Sequence, residues 1–190
     1  MTLTHKGTFY GWRIVAAAFV LALFGWGLGF YGPPVFLGVV AATRDWPLPL
    51  VSAAVTAQFL IGALMGANLP RIHQRFGVAT VTKAGALSLA ASVCGWAMAT
   101  APWQLFVAAL LGGAGWGAMS AVAVNAIVSP WFVRGRPAAL AMAYNGGSIG
   151  GVVFSPLWVA AIDALGFSTS AATIGAVMVL TIWLLADLLF

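Results

Sequence analysis

Charged residues, histidine and cysteine are all scarce in this sequence. Only 6% of its 190 residues are charged, whereas 63% are hydrophobic. A soluble domain carries roughly 25% charged residues, so the composition predicts an integral membrane protein. The single cysteine, Cys94, lies in the middle of an apolar stretch, which excludes a disulfide framework within the chain and a thiolate metal site.

The scarcity of reactive side chains argues against an enzyme. The two histidines are His5, in the amino-terminal tail, and His73, which we predict to lie in a loop. An intramembrane serine protease needs a serine and a histidine partner inside the bundle, and Ser148 has no such partner in the sequence. A glycine-rich loop that ends in Lys-Ser or Lys-Thr, as in phosphate-binding loops, is also lacking. We therefore expect no enzymatic activity, no cofactor and no metal.

Six stretches are apolar and long enough, at about 20 residues each, to cross a bilayer. They cover residues 12–40, 50–69, 80–100, 103–128, 137–162 and 168–190. We therefore predict an all-α integral membrane protein, a single bundle of six transmembrane helices without a soluble domain. The first stretch is longer than the core of a signal peptide, about 7–15 residues, and no clear cleavage site follows it. The acids Asp45, Asp163 and Asp187 fall near span ends, so no proton relay at mid-depth is predicted.

The basic residues indicate topology rather than a nucleic-acid partner. The chain has a net charge of +5, but its basic residues occur singly or in pairs between apolar stretches. All eight Lys and Arg residues except Arg44 fall on one side of the predicted membrane. Because cytoplasmic loops are enriched in Lys and Arg, we predict a multi-pass protein of the plasma (inner) membrane with both termini in the cytoplasm. The residues on the cationic side are Lys6, Arg13, Arg71, Arg75, Lys83, Arg134 and Arg136.

A short cationic hairpin joins the fourth and fifth predicted spans. Ser129-Pro130 ends the fourth span, and Trp131-Phe132 follows at the expected depth of lipid headgroups. Arg134 and Arg136 hold the hairpin on the cytoplasmic side. The fifth span then carries glycines at close spacing, at 146, 147, 150 and 151, which predicts close packing against another helix.

The spans also contain an internal similarity. Residues 25–29 (GWGLG) in the first span resemble residues 113–117 (GAGWG) in the fourth. Spans one to three and four to six would then form an inverted 3+3 repeat, a pattern of many secondary transporters. The alternative is that glycine is simply common in membrane helices.

The hairpin resembles a signature of the major facilitator superfamily, in its monocarboxylate transporter and oxalate–formate antiporter branch. That branch has a pattern close to Y-F-x-K-R-R-x-L-A-x-G-x-A-x-A-G-S-x-x-G after its fourth span. Trp131 and Arg134 stand for the tyrosine and the lysine, while Gly135, Ala138, Ala141, Asn145 and Gly147 depart from the pattern. The matching residues are Phe132, Arg136, Ala139, Ala143, Gly146 and Gly150. Residues 10–13 (YGWR), at the head of the first span, are similar to the same branch.

The loop after the second span resembles the superfamily signature G-x-x-x-D-R-x-G. Arg75 and Gly77 match it, whereas Pro70 replaces the first glycine and Gln74 replaces the aspartate. The resemblance implies that this loop, with Arg71 and Arg75, contributes to gating on the cytoplasmic side. Plain topology is the alternative role of both arginines.

The resemblance implies a secondary active transporter that moves a small organic solute, such as a monocarboxylate or a similar organic anion, by alternating access. It covers six spans, and the superfamily has twelve, in two six-helix halves. The chain would then be an amino-terminal half that is a fragment, or that pairs with a second copy or another chain. The alternative is a self-contained six-helix pore or the substrate-capture subunit of a larger importer.

Transporter sites lie near the middle of the membrane, which the rise of about 1.5 Å per residue puts near Trp26, Gln58, Trp116 and Ser148. Gln58 is expected to make either a helix–helix hydrogen bond or a substrate contact. The resemblance implies that the fifth span faces the cavity, with Tyr144 as a solute contact.

Four further residues are candidates for solute contacts. Ser148 shares a helix face with Tyr144, and Asn145 lies beside them. Tyr31 precedes Pro33-Pro34, which are expected to bend the first span, and is either a gating residue or part of the aromatic belt. Asn125 either caps the hairpin or lines the inner vestibule.

Overall fold

The computed structural model describes residues 9–189, so His5, Lys6 and the predicted end of the last span at Phe190 lie outside the described residues. The regular elements of the described chain are all helices, and residues 9–189 contain no strand. Its helices are α1 (Gly11–Gly29), α2 (Gly32–Arg44), α3 (Leu48–Phe76), α4 (Val78–Met98), α5 (Pro102–Ala118), α6 (Ala121–Val128), α7 (Arg136–Leu165) and α8 (Phe167–Leu189). A 3-10 turn at Ser129–Trp131 follows α6.

Six helical segments are long and apolar enough to cross a membrane. Two of these segments each consist of two consecutive helices, α1 with α2 and α5 with α6. The expected number of apolar helical segments of membrane-spanning length is thus confirmed, and the chain has the character of a multi-pass membrane protein.

The helix of the second span extends beyond the predicted end of that span at residue 69. α3 continues through Pro70 to Phe76, and Gly77 alone separates it from α4. Gly77 has a φ of +80°, which lets the chain reverse in a single residue. The prediction that His73 lies in a loop was therefore wrong: it lies in the last turns of α3 and is buried. The extra turns persist because Leu69 and Ile72 still have a packing surface, formed with Ala118 and Ala123.

The first span is interrupted at Phe30 and Tyr31. The backbone N–H groups of both residues donate to the carbonyl of Trp26, at 3.0 and 2.9 Å. Pro33 and Pro34 follow in the first turn of α2, and without N–H groups they cannot bond to carbonyls at the end of α1. The bend expected from the two prolines is confirmed.

The fourth span is interrupted at Met119 and Ser120, where no bend was predicted. Their N–H groups donate to the carbonyls of Trp116 and Gly117, at 3.0 and 3.3 Å. These bonds reach three residues back instead of four, which tightens the last turn of α5. The break contains no proline, so the sequence carries no clear signal for it.

Glycines bring the spans into close contact, as predicted. A Cβ on Gly146 of α7 would lie 2.1 Å from the carbonyl oxygen of Phe19 in α1, and one on Gly150 would lie 2.5 Å from that of Leu23. In α5, a Cβ on Gly113 would lie 2.3 Å from the carbonyl oxygen of Gln58. The backbones of α1 and α7, and of α3 and α5, therefore touch directly.

The two ends of the bundle differ in charge. The hydroxyl of Tyr10 donates to the carbonyl of Leu188 at 3.4 Å, the rings of Tyr10 and Trp131 lie 5.2 Å apart, and Lys83 pairs with Asp187. These contacts gather the start of α1, the turn before α7, the start of α4 and the end of α8 at one end, which we call the cationic end. Within residues 9–189 it contains every Lys and Arg except Arg44: Arg13, Arg71, Arg75, Lys83, Arg134 and Arg136.

Candidate functional site

Four aromatic rings meet between the two broken spans and α3. Trp116 of α5 lies 5.5 Å from Phe59 of α3, 5.9 Å from Phe30 at the first break and 6.5 Å from Trp26 of α1, measured between ring centroids. The rings of Phe30 and Phe59 are 5.5 Å apart. We call this group the aromatic cluster; it joins three spans that are distant in sequence.

Trp116 reaches the centre of this cluster because its neighbours have no side chains. A Cβ on Gly29 would lie 2.6 Å from the Trp116 ring, and one on Gly62 would lie 2.5 Å from it. The indole thus lies between α1 and α3 at two positions where a Cβ would force the ring to move. Gly29, one of the glycines that suggested an internal repeat, therefore has a second role, in making room for a ring.

The aromatic cluster lines a cavity of about 560 Å³. The remaining lining residues are small or apolar, and none of them is charged: Gly62, Ala63, Gly66, Ala67, Ser120, Ala121 and Val122. Two polar atoms in this lining, Trp116 Nε1 and Ser120 Oγ, are buried without a hydrogen-bond partner among the described residues. The cavity therefore presents ring faces, and one N–H donor and one hydroxyl lie unpartnered within its wall.

A second cavity of about 390 Å³ adjoins the first and shares Ala121 and Val122 with it. Tyr144 and Asn125 supply its polar groups. The Tyr144 hydroxyl donates to the Ala121 carbonyl at 3.2 Å, and the Ser129 hydroxyl donates to Asn125 Oδ1. The structure thus brings two of the predicted solute contacts together, beside the break in the fourth span.

Gln58 makes a helix–helix hydrogen bond. Its side chain is 1% exposed, and Nε2 donates to the Gly29 carbonyl at 2.9 Å. In a continuous helix that carbonyl would accept from residue 33, which is a proline without an N–H. Gln58 is expected to make either a helix–helix hydrogen bond or a substrate contact, and in the structure it makes the hydrogen bond. It does not line either of the two cavities described above.

A second side-chain hydrogen bond stabilises the break in the first span, and the sequence did not predict it. Trp158 of α7 is fully buried, and its Nε1 donates to the Gly27 carbonyl at 3.3 Å. Tyr31 also contacts α7, because a Cβ on Gly151 would lie 2.6 Å from the Tyr31 ring. Tyr31 therefore packs against α7 and lies outside the lining of the aromatic cavity.

Ser148 and Asn145 are exposed on α7 and do not line either cavity. Tyr144 and Ser148 therefore do not line one cavity together. Tyr144 is half-buried beside α6, whereas Ser148 is exposed. The sequence singled out Trp26 and Trp116, which line the aromatic cavity, but not Phe30, Phe59 or Ser120. The sequence signal for the two tryptophans was that each lies among three glycines at alternate positions, 25, 27 and 29 or 113, 115 and 117, which we call the glycine triplets.

The predicted gating residues lie at the cationic end. Arg71 and Arg75 are exposed near the end of α3, with the Arg75 guanidinium 5.1 Å from the centroid of the Phe76 ring. In the hairpin before α7, Arg136 Nε donates to the Phe132 carbonyl at 3.1 Å, and Arg134 is exposed. In residues 9–189, no three His, Cys, Asp or Glu side chains come together as metal ligands would.

No protein-family model matches this chain, and a search of curated proteins finds no relative.

Proposed function

We propose that this protein is a secondary active transporter of a small organic solute, with a monocarboxylate or a similar organic anion as the first candidate. The observation that carries the proposal is the aromatic cavity between the two broken spans. A cavity of about 560 Å³ lined by aromatic rings and a few unpartnered polar atoms is typical of small-molecule sites. Broken helices beside a site near mid-membrane are typical of secondary transporters.

The packing of the spans supports an inverted 3+3 repeat and, with it, alternating access. In such a repeat the first span corresponds to the fourth, and the fifth to the second. α7, the fifth span, packs on α1 in the first span through Gly146 and Gly150. The contact that corresponds to it in the repeat is made by α5 in the fourth span, which packs on α3, the second span, through Gly113. Both glycine triplets also end just before a helix break, at residues 30–31 and 119–120.

Membership of the major facilitator superfamily is part of the proposal, and the hairpin and Arg75-Phe76-Gly77 carry it. The charge difference between the two ends supports a plasma (inner) membrane orientation with both termini in the cytoplasm. The cavity lacks a positive charge that would pair with a carboxylate. A second six-helix half, in the same polypeptide or in another chain, would therefore supply that charge and close the cavity.

The test is solute uptake into proteoliposomes that contain the complete gene product. A panel of radiolabelled monocarboxylates, such as acetate and lactate, is offered with and without the same unlabelled solute inside. We expect saturable uptake that internal solute accelerates. Trp116→Phe keeps a ring but removes the N–H donor, so the KM should rise about fivefold, the usual weight of one hydrogen bond.

Trp103→Phe is the matched control, because Trp103 is exposed at the start of α5 and does not line the aromatic cavity. Its uptake should equal that of the wild type. Ion currents in a planar bilayer without saturation would favour the alternative of a pore. Binding of solute without uptake would favour a capture subunit.

A further inference from the structure

A separate groove lies on the bundle between α3 and α4, with α5 as its floor. Its walls include Ile72 and Phe76 of α3 and Ala84 and Ser88 of α4, and Ala114 lies beneath. Its volume is about 390 Å³, and it shares no lining residue with the aromatic cavity. We call it the inner groove because it begins at the cationic end.

The inner groove has the length of about one lipid leaflet. Along α3 its lining extends from Phe76 to Met65, over eleven residues. At about 1.5 Å per residue this is about 16 Å, roughly half of a hydrocarbon core of about 30 Å. An occupant of the groove therefore extends from the membrane surface to the bilayer centre.

The inner groove is apolar and is kept open by small side chains. A Cβ on Gly85 would lie 2.6 Å from the Cβ of Ala118, so α4 and α5 touch and leave a shallow trough beside them. The Ser88 hydroxyl donates to the Leu111 carbonyl at 2.8 Å and is thereby satisfied. The groove thus presents hydrocarbon-like surface along its length.

A single extended alkyl chain matches the shape of the groove. The groove is shallow, apolar and about 16 Å long, which is about the reach of one acyl chain through one leaflet.

Arginines without a carboxylate partner lie at the mouth of the groove. The Arg75 guanidinium lies over Phe76, which lines the groove, and Arg71 is one helical turn earlier. Among residues 9–189 the one ion pair is Lys83 with Asp187, so neither arginine has a protein carboxylate there. The charge at this mouth fits a phosphate at headgroup depth.

We propose that the inner groove binds an anionic phospholipid, with one acyl chain in the groove and the headgroup phosphate at Arg71 and Arg75. Both requirements of such a lipid, an apolar channel one leaflet long and cations at its surface end, meet at this one site. The inference does not depend on the transport proposal.

The test is native mass spectrometry of the full chain, delipidated and then titrated with phosphatidylglycerol or phosphatidylcholine of the same acyl composition. We expect the wild type to prefer phosphatidylglycerol at its first site. Each of Arg71→Gln and Arg75→Gln should reduce that preference about fivefold. Ala84→Trp, which fills the groove, should weaken the binding of both lipids.

Two controls separate the site from general charge. Arg134→Gln removes a cation from the same end but away from the groove, and Arg44→Gln removes the one at the opposite end. Neither should change the preference. Inorganic phosphate at the same concentrations should not displace the lipid, because it lacks the acyl chain.

An unchanged lipid preference in the Arg71→Gln/Arg75→Gln double variant would overturn the proposal. So would unchanged binding of both lipids by a folded Ala84→Trp protein. A cysteine at position 84, in a Cys94→Ala background, that crosslinks in native membranes to another protein chain would show that a protein covers the groove instead.

Discussion

Gln58 and Pro33 act on the same backbone carbonyl. Pro33 cannot donate to the Gly29 oxygen, and Gln58 Nε2, from a different span, donates to it at 2.9 Å. In the bilayer core no water is present to satisfy such an oxygen. The proline that breaks the first span and the glutamine that stabilises the break are therefore two parts of one feature.

Gln58→Leu should destabilise the protein because it leaves the Gly29 carbonyl unsatisfied. We expect a loss of about 1–2 kcal/mol, as for hydrogen bonds between membrane helices, measured by reversible unfolding in mixed micelles. In a Pro33→Ala background residue 33 regains an N–H, so Gln58→Leu should cost less there. Equal costs in both backgrounds would show that the two residues are not coupled.

Gly146→Ala should separate α1 from α7. The added Cβ would lie 2.1 Å from the Phe19 oxygen, which is backbone and cannot swing away. We expect destabilisation by about 1–3 kcal/mol, the usual cost of overpacking, measured as a lower midpoint in the same unfolding assay. Gly38→Ala is the matched control: a Cβ there meets nothing within 4 Å, so this helical position should become slightly more stable.

The Lys83–Asp187 pair should fasten α8 to α4, together with the Trp183 indole, whose Nε1 donates to the Lys83 carbonyl at 3.2 Å. Asp187 is largely exposed, so we expect a coupling of only about 0.5 kcal/mol. A double-mutant cycle with Lys83→Met and Asp187→Asn measures it. The charge swap Lys83→Asp/Asp187→Lys should restore most of the stability, and failure to do so would indicate that Lys83 acts through Trp183 instead.

The proposed orientation predicts which residues an impermeant maleimide reaches in intact cells. In a Cys94→Ala background, Val133→Cys lies in the hairpin at the cationic end, at a position that is 94% exposed. It should react only after the membrane is permeabilised. Leu165→Cys, exposed at the opposite end of α7, should react without permeabilisation. The reverse pattern would place the cationic end outside the cell.

The sequence predicted the framework well and the site only in part. Hydropathy located six spans, and the glycines at 146 and 150 predicted a close helix contact that α1 and α7 make. Tyr144 is predicted to be a solute contact and Asn125 either a cap of the hairpin or part of the inner vestibule, and the two residues line one cavity together. Ser148, Asn145 and Tyr31 do not line the described cavities, because a helical face alone does not say which neighbour covers it.

His73 shows the limit of reading a polar residue by its local context. Among arginines and a proline it suggested a loop, yet it is buried in α3. The packing surface that keeps this end helical includes Ala118 and Ala123, about 50 residues away in sequence. The residues around His73 in the sequence do not predict this packing surface, because it is formed by a distant span.

The sequence by itself determined the membrane character, the number of spans and the asymmetry of charge, because each depends on the transfer energy of side chains one at a time. It also determined where glycine permits close approach. Only the tertiary structure decided that Gln58 satisfies the carbonyl freed by Pro33, that Trp116 lies between Gly29 and Gly62, and that an apolar groove ends beside Arg75. Each of these depends on which surfaces of distant spans meet, and that choice is made by packing and backbone hydrogen bonding across the whole bundle.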